Sequence, residues 1–303
     1  MRLQGVVPPQ WDGKPLKSVI RGLFQLSTGQ YKRAKFEGRI LLRGVPARVS
    51  ETAYAGDTVS VEWPERELPR EVLCRREAAA GLPAESLRVC YEDEHLLVAD
   101  KPAPMPSVAS PKQSGVTVEE LLLRHLENPA GFVYRPVNRL DKGTSGLMLI
   151  AKTAWAQQRM QAMLHTEAFV REYLAVTEGV PSPETGEIAL PIGKAAGASI
   201  RRVILPESEG GRACRTLYAV EAVGGGRALV RLRLLTGRTH QIRVHLSAMG
   251  TPVCGDFLYG TELEALPGRF ALHSAKLTFT HPLTGERVAL QSGLPPKLRA
   301  LME

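Results

Sequence analysis

Apolar side chains recur at helical spacing near the start of the 303-residue chain and predict a first short helix. Thr28 and Gly29 are expected to end this helix. A second short helix is predicted over residues 31–37, and the two short strands that follow are linked by turn residues such as Gly44 and Gly56. The apolar positions of the first helix are Leu16, Val19, Ile20, Leu23 and Leu26, and the strands are residues 40–42 and 58–61.

Beyond residue 87 the chain contains more strand-like apolar runs than helical ones. Because the strands are not separated by one helix each, we expect an α+β fold with a mainly antiparallel, curved sheet. The predicted strands are residues 96–99, 147–151, 169–177, 217–221, 228–235 and 277–280, and the predicted helices are residues 117–126, 154–165 and 239–249.

The chain is predicted to divide at residues 64–86, which contain three prolines, a glycine, many charges and an alanine-rich patch. This composition is typical of a linker. We therefore predict a small N-terminal α/β domain over residues 1–63 and a larger domain over residues 87–303.

Basic residues are concentrated in the smaller of these domains. Lys and Arg total 39 against 31 Asp and Glu, a formal net charge of +8, and residues 1–50 alone carry ten basic and two acidic side chains. This pattern favours a polyanionic partner, with nucleic acid ahead of a membrane because no lipidation signal is present. A solvated basic face on a packing appendage is the alternative. Candidate RNA-binding residues of the second helix are Lys32, Arg33 and Lys35.

The four cysteines are far apart in the sequence and form no C-x-x-C pair. Neither a disulfide framework nor a zinc site is therefore indicated. The sequence contains no signal-peptide pattern and no run of about 18 apolar residues. We expect a cytoplasmic, monomeric protein.

The densest group of unusual residues is Arg135-Pro-Val-Asn-Arg-Leu-Asp-Lys-Gly-Thr-Ser-Gly146, directly before a predicted buried strand. A carboxylate in such a loop is held by a rigid scaffold and stays accessible to a substrate, which makes Asp141 a candidate nucleophile. A turn residue that bonds to its own backbone fits the same pattern. The residues alone do not decide between the two interpretations.

Part of this segment, Asn138-Arg-Leu-Asp-Lys-Gly-Thr-Ser-Gly146, resembles the HRLDxxTSG signature of the RluA-type pseudouridine synthases. Further motifs of that family occur in the family's order, so the resemblance extends over roughly residues 87–296. They are Lys101-Pro-Ala with Pro106-Ser107, Arg171-Glu-Tyr-Leu-Ala175, Leu235-Thr-Gly-Arg-Thr-His-Gln-Ile-Arg-Val-His245, Ala271-Leu-His-Ser-Ala275 and His281-Pro-Leu-Thr-Gly285.

Two positions depart from the family pattern. Asn138 stands where the family has a histidine, which puts a role for that imidazole in doubt. Arg171 stands where the family has a lysine, so the positive charge is kept but the contact geometry changes.

The resemblance implies an enzyme that isomerises specific uridines in structured RNA, without a metal or cofactor. The N1–C1′ bond breaks, the uracil turns, and C5 is joined to C1′, so no redox step occurs. Such a reaction requires an anionic nucleophile, a pocket that retains the uracil and a group that moves the C5 proton. Attack on the ribose C1′ and attack on the uracil C6 both remain open.

By resemblance, Asp141 is the nucleophile, and Arg243 is the cation that keeps it ionised in a pocket largely closed to water. We expect the guanidinium to bind this carboxylate through two parallel hydrogen bonds. Tyr173 is expected to stack on the flipped uracil, and its phenol is a candidate proton relay. Arg139 is expected to fill the space that the base leaves or to contact a phosphate.

The region around Arg243 is positively charged, because residues 222–255 contain no Asp or Glu. Arg238 and His240 are therefore candidates for binding the RNA substrate. His240 and His245 are five residues apart, a spacing that places them on different faces of a helix and argues against a metal site.

Two local predictions concern the same region. In strand 228–235, Arg231 and Arg233 are expected on the face opposite the apolar side chains. Thr239 is expected to cap the helix that follows.

The N-terminal domain resembles the S4-type RNA-binding domain in Gly38-Arg-Ile-Leu-Leu-Arg-Gly-Val45 and Ala55-Gly-Asp-Thr-Val59. An S4-like domain on an RluA-like body implies a large-subunit ribosomal RNA as target, with transfer RNA as the alternative. A non-catalytic RNA-binding or ribosome-assembly factor on the same fold is a second hypothesis, against which Asp141, Tyr173 and Arg243 argue. A glycoside hydrolase needs two acids that flank a sugar bond, and the acid-free region around Arg243 disfavours it.

Overall fold

The computed structural model divides into two compact units, one formed by Met1–Leu73 with Ala130–Val133 and the other by Cys74–Pro129 with Tyr134–Glu303. The predicted linker lies almost entirely outside the described residues. The residues that the structure describes are 2–63, 87–109, 115–127, 132–197 and 200–303, with Arg70, Leu73, Cys74 and Glu77.

The smaller unit contains a four-stranded antiparallel sheet and two helices. Its elements are β1 (Arg2–Val6), β2 (Lys14–Pro15), α1 (Leu16–Leu23), α2 (Thr28–Phe36), β3 (Arg39–Leu42), β4 (Val45–Pro46), β5 (Thr52–Ala53) and β6 (Thr58–Glu62). The sheet order is β1-β6-β3-β4, and both predicted strands are present as β3 and β6. Leu3, Val59 and Val61 are fully buried, as are Leu16 and Ile20 of α1, so the helical stripe predicted from the sequence contributes to this core.

The boundary between the two helices differs from the prediction. Leu26 lies beyond the end of α1, and Thr28 and Gly29 open α2 instead of ending α1. The Ser27 hydroxyl accepts a hydrogen bond from the Gln30 backbone N–H (3.2 Å), and the Gln30 side chain accepts one from the Ser27 N–H (2.9 Å). This capping box satisfies two backbone donors that would otherwise lack partners, and it fixes where α2 begins.

The larger unit is built on a nine-stranded sheet that is mainly antiparallel, as predicted for the α+β fold. Its strands are β7 (Arg88–Glu92), β8 (Leu96–Lys101), β9 (Ser145–Ala151), β10 (Phe169–Glu178), β11 (Thr185–Ile188), β14 (Thr216–Gly224), β15 (Arg227–Leu234), β16 (Leu272–Thr280) and β17 (Arg287–Gln291), and a separate pair is formed by β12 (Ile192–Lys194) and β13 (Arg202–Ile204). The order is β11-β14-β15-β10-β16-β9-β8-β7, with β17 on β16. Strand β9 pairs with β16 in parallel. All six predicted strands are present, most of them longer than predicted.

The three predicted helices of the larger unit are also present, and a short fourth helix lies near the C-terminus. The helices are α3 (Val118–His125), α4 (Ala154–Met163), α5 (Gln241–Ala248) and α6 (Pro296–Arg299). The prediction that Thr239 caps α5 is wrong. His240 occupies the position before the helix with φ of +60°, and this left-handed residue separates Thr239 from the first turn.

Strand β9 is buried along its whole length, and its residues 147–151 form the uninterrupted apolar run that predicts a buried strand. Gly146 in β9 has φ of +106°, and a Cβ at this position would lie 2.3 Å from the Ser274 carbonyl oxygen of β16. Glycine is therefore required for the close approach of these two strands. The Asp141 loop lies immediately before β9 in the chain, so the packing of β9 against β16 fixes one side of the site described next. Within the described ranges, no helix is long and apolar enough to cross a membrane.

Candidate active site

A pocket in the larger unit brings together six of the nine residues proposed from the sequence for catalysis or substrate binding. Its lining is Arg139, Leu140, Asp141, Thr144, Tyr173, Leu234, Arg238, His240, Gln241, Ile242, Arg243 and Leu272. The other three, Lys32, Arg33 and Lys35, lie on α2 of the smaller unit. Lys32 and Lys35 are exposed, whereas Arg33 forms an ion pair with Glu37 (3.0 Å).

The backbone of the Asp141 loop is held by hydrogen bonds on both sides of the carboxylate. The Ser107 hydroxyl donates to the Leu140 carbonyl oxygen (2.6 Å) and accepts from the Leu140 N–H (3.2 Å). The Thr144 N–H donates to the Asp141 carbonyl oxygen (3.0 Å). Asp141 thus serves as a turn residue through its backbone, while its side chain, 30% exposed, lines the pocket.

Lys101, the last residue of β8, hydrogen-bonds to the backbone of the same loop. Its fully buried ammonium group donates to the carbonyl oxygens of Met105 (2.7 Å), Pro102 (3.0 Å) and Lys142 (3.3 Å). Burial lowers the pKa of Lys101 to about 7, although the charge of Asp141 acts in the opposite direction. The lysine ties the loop after β8 to the residue that follows Asp141.

Arg243 on α5 reaches the Asp141 carboxylate, but with a different geometry from the one predicted. Its Nη1 donates one hydrogen bond to Asp141 Oδ2 (3.1 Å). The two parallel hydrogen bonds go instead to Asp256, from Nε to Oδ2 (2.6 Å) and from Nη2 to Oδ1 (2.7 Å). The expectation of a two-bond pair with Asp141 is therefore wrong. The side chain of Arg243 is only 3% exposed, so its orientation is fixed by the buried pair with Asp256.

Asp256 is the residue of this site that the sequence analysis missed. It is fully buried, and its Oδ1 also accepts hydrogen bonds from the backbone N–H groups of Leu258 (3.0 Å) and Tyr259 (3.2 Å). Burial acts to lower the pKa of Arg243, but the hydrogen bond and charge of Asp256, together with Asp141, outweigh it and raise that pKa. The one signal for Asp256 in the sequence is its position, because it is the first carboxylate after the acid-free residues 222–255 that contain Arg243.

Three aromatic rings surround the Arg243 guanidinium. Its central carbon lies 4.1 Å from the ring centroid of Phe270, 5.0 Å from that of Tyr259 and 5.9 Å from that of Phe257. Phe270 in turn packs on Gly143 of the Asp141 loop, where a Cβ would lie 2.6 Å from the ring. Cation–π contacts therefore restrain the arginine on the sides that the carboxylates leave open.

Replacing Asp256 with asparagine is expected to lower the free energy of unfolding by about 3–5 kcal/mol, because the buried Arg243 loses its counter-charge. Urea denaturation measures this change. Glu221→Gln is the matched control, since it removes one of the two carboxylates that pair with the exposed Arg231 and is expected to cost less than about 1 kcal/mol. Equal effects of the two substitutions would show that the buried pair contributes nothing to stability.

Tyr173 and His240 line the pocket on either side of the carboxylate. Tyr173 is 5% exposed, and burial raises the pKa of its phenol, although the charge of Arg171 and a hydrogen bond with Ser274 act in the opposite direction. The phenol is therefore neutral at pH 7. His240 Nδ1 lies 2.8 Å from the Tyr259 hydroxyl, and its Nε2 lies 3.8 Å from Asp141 Oδ2. Burial lowers the pKa of His240, which favours the neutral ring at pH 7.

His245 points away from His240 and serves the fold. Its Nδ1 lies 2.9 Å from the Thr216 hydroxyl and its Nε2 lies 2.9 Å from the Leu190 carbonyl oxygen. The two histidines therefore do not converge, in agreement with the interpretation of their spacing.

The remaining candidates lie at the rim of the pocket or behind it. Arg139 and Arg238 are exposed, and Arg238 Nη2 donates to the Ala213 carbonyl oxygen (3.3 Å). Asn138 is buried, and its Oδ1 accepts a hydrogen bond from the Leu149 N–H of β9 (2.9 Å). The residue that departs from the family signature thus anchors the loop to the sheet and does not line the pocket.

Arg231 and Arg233 of β15 lie, as predicted, on the face opposite the buried apolar residues Val230 and Leu232. Both are engaged by carboxylates, so they are not free to contact RNA without breaking these pairs. The partners are Glu172 and Glu221 for Arg231 and Glu167 for Arg233.

Comparison with known proteins identifies the family to which this arrangement belongs. Residues 95–248, half of the chain, match the family model described as RNA pseudouridylate synthase. A Bacillus subtilis protein named as an uncharacterized RNA pseudouridine synthase is 33% identical over 267 residues, which cover 88% of this chain and 90% of that protein.

Two further relatives agree with this assignment. The ribosomal large subunit pseudouridine synthase D of Xanthomonas campestris is 33% identical over 321 residues, which cover 99% of this chain and 91% of that protein. The solved structure of human RNA pseudouridylate synthase domain containing 1 aligns with a TM-score of 0.59 and 27% identity, over 73% of this chain and 89% of that one. From the match to the family model and the extent of these alignments, the chain belongs to the RNA pseudouridylate synthase family.

Proposed function

We propose that this RNA pseudouridine synthase isomerises uridine in large-subunit ribosomal RNA, with Asp141 as its nucleophile. The observation that carries the proposal is the chain of contacts from the buried Asp256 through Arg243 to the partly exposed Asp141 carboxylate. Within the pocket lining, Asp141 is the one carboxylate, and the Arg243 guanidinium contacts it at 3.1 Å.

The pocket residues supply what the isomerisation requires. Asp141 attacks the target nucleotide, at C1′ of the ribose or at C6 of the uracil, and the N1–C1′ bond breaks. The neutral, buried Tyr173 offers an aromatic face on which the uracil stacks, so the detached base is retained while it turns. C5 then bonds to C1′, and the bond between Asp141 and the substrate breaks, which regenerates the carboxylate. C5 loses its proton and N1 gains one. Arg139 at the rim is placed to contact the strand from which the uridine is flipped.

Ribosomal RNA is favoured as the substrate by two relatives that are named as ribosomal large subunit pseudouridine synthase D, from Xanthomonas campestris and Vibrio cholerae. The test is tritium release from uridine C5 in transcripts of large-subunit ribosomal RNA and of transfer RNA. Release from the ribosomal transcript alone is expected. Release from transfer RNA alone would overturn the assignment of the substrate, and release from neither would favour a binding or assembly factor.

We further propose that residues 1–63 form an S4-like RNA-binding domain and residues 87–303 the catalytic domain. The support is the concentration of basic residues in the first 50 positions and the two helices with a small antiparallel sheet in that unit. Lys32 and Lys35 on α2 are exposed and available for phosphates, whereas Arg33 is engaged by Glu37.

Replacing Lys32 and Lys35 together with glutamine is expected to weaken RNA binding and to lower the slope of log Kd against log salt concentration by up to about 2. Binding of a large-subunit ribosomal RNA transcript to the full-length chain at several KCl concentrations measures this slope. Lys297→Gln, which removes an exposed charge of the larger unit, is the control. An unchanged slope in the double variant would count against an RNA-binding role of α2.

A further inference from the structure

A second cationic group lies beside the uridine pocket and has no task in the isomerisation described above. Arg171 on β10 is two residues before Tyr173, and it is only 6% exposed. Its guanidinium lies against Gly237, the residue before the pocket-lining Arg238. Arg171 is also the position at which the chain departs from the lysine of the family motif.

Among the described residues, no carboxylate lies within ion-pair distance of Arg171, and its buried Nε has no hydrogen-bond partner. The polar contact that the structure gives it is from Nη2 to His165 Nδ1 (3.3 Å), and its guanidinium carbon lies 5.7 Å from the Phe169 ring centroid. A buried cation without a counter-charge is unfavourable. Arg243, buried to a similar degree, contacts two carboxylates.

His165 orients this arginine. Burial lowers the pKa of His165, and the positive charges of Arg171 and Arg238 lower it further, so the ring is neutral. A neutral imidazole can accept a hydrogen bond from Arg171 through Nδ1, and the ring also hydrogen-bonds to the Leu235 backbone. Arg171, Arg238 and His165 therefore provide two permanent positive charges and one neutral ring.

Gly237 lies directly against the guanidinium, where a side chain would crowd it. A Cβ at this position would lie 3.1 Å from Nη1 of Arg171 and 3.2 Å from Cε1 of His165. The backbone of Gly237 is not left-handed, so conformation does not require glycine there. The next residue, Arg238, lines the uridine pocket, so Arg171 contacts the segment that forms the pocket rim.

We propose that Arg171 and Arg238 bind a backbone phosphate of the RNA next to the uridine that enters the pocket. The proposal rests on the proposed function, because the RNA substrate supplies the phosphate. A phosphate offers several acceptor oxygens, which suits the unused donors of a planar guanidinium and supplies the missing counter-charge. The phosphate would position the strand so that the neighbouring uridine reaches Asp141.

The test compares Arg171→Gln with Arg231→Gln, which removes an exposed arginine that pairs with Glu172 and Glu221. Tritium release from a C5-labelled ribosomal transcript is measured over a series of KCl concentrations. Arg171→Gln is expected to raise KM about 10-fold or more, to leave kcat within a few-fold, and to lower the slope of log kcat/KM against log salt by about 1. Arg171→Lys, which keeps the charge, and Arg231→Gln are expected to keep the wild-type slope. An unchanged slope in Arg171→Gln, or a loss confined to kcat, would overturn the proposal.

Gly237→Ala keeps the test decisive if Arg171→Gln does not fold. The added methyl group displaces the guanidinium, so KM is expected to rise several-fold while the melting temperature stays at the wild-type value. Wild-type KM in this variant would overturn the proposal. If the wild type itself releases no tritium, the proposed function fails, and equilibrium binding of the same transcript then tests the phosphate site. A slope of log Kd against log salt concentration that is lower by about 1 in Arg171→Gln supports the site, and equal slopes refute it.

Discussion

Replacing Asp141 with asparagine is expected to lower kcat for tritium release by about 10³-fold or more, while RNA affinity stays within a few-fold of wild type. Asparagine has nearly the same size, and its amide oxygen can still accept the hydrogen bond that Arg243 Nη1 gives to Asp141 Oδ2. The amide carries no negative charge and is not a nucleophile, so binding is retained while the first chemical step is lost.

Glu187→Gln is the matched control for this substitution. It neutralises an exposed carboxylate that forms an ion pair with Arg215, outside the pocket lining. Turnover of this variant is expected at the wild-type rate. Turnover of Asp141→Asn at the rate of the control would exclude Asp141 as the nucleophile.

Arg243→Lys is expected to lower kcat by about 10²-fold, although the positive charge is retained. The guanidinium uses three nitrogens at once, with Nε and Nη2 on Asp256 and Nη1 on Asp141. A lysine ammonium is a single point of charge on a flexible chain and cannot hold both carboxylates in this geometry. The stacking of the planar group on Phe270 is lost as well.

Single-turnover tritium release with a saturating amount of enzyme isolates this effect from RNA binding. Arg231→Lys, in the exposed pairs on β15, serves as the control and is expected to change the rate less than about twofold. A rate for Arg243→Lys within about threefold of wild type would show that charge alone is sufficient and that the geometry set by Asp256 is unimportant.

The regular elements of the fold were predictable where their apolar pattern is long. Strand β9 is buried at every position, and its residues 147–151 form an uninterrupted apolar run. Strand β12, by contrast, has three residues and includes Gly193 and Lys194, so no periodicity identifies it. The predicted break between α1 and α2 is misplaced because Thr28 and Gly29 resemble a helix stop signal, whereas the capping box of Ser27 and Gln30 makes them the first turn of α2.

The site was predictable only in part, since its members are brought together by tertiary structure. Asp141 and Arg243 are 102 residues apart, and the resemblance to a family, not any spacing, suggested that they pair. Asp256 lies in a loop and belongs to no motif that the sequence analysis used, so its two hydrogen bonds to Arg243 became evident only from the fold. The chemical role of Lys101 likewise depends on its complete burial beneath the Asp141 loop.

We propose that the Asp141 carboxylate is the nucleophile in the isomerisation of uridine in RNA. The most direct measurement is tritium release from C5-labelled large-subunit ribosomal RNA by the purified wild type and by Asp141→Asn, both without added metal or cofactor. We expect release by the wild type and none above background by the variant, at matched RNA binding. Equal release by both proteins would contradict it.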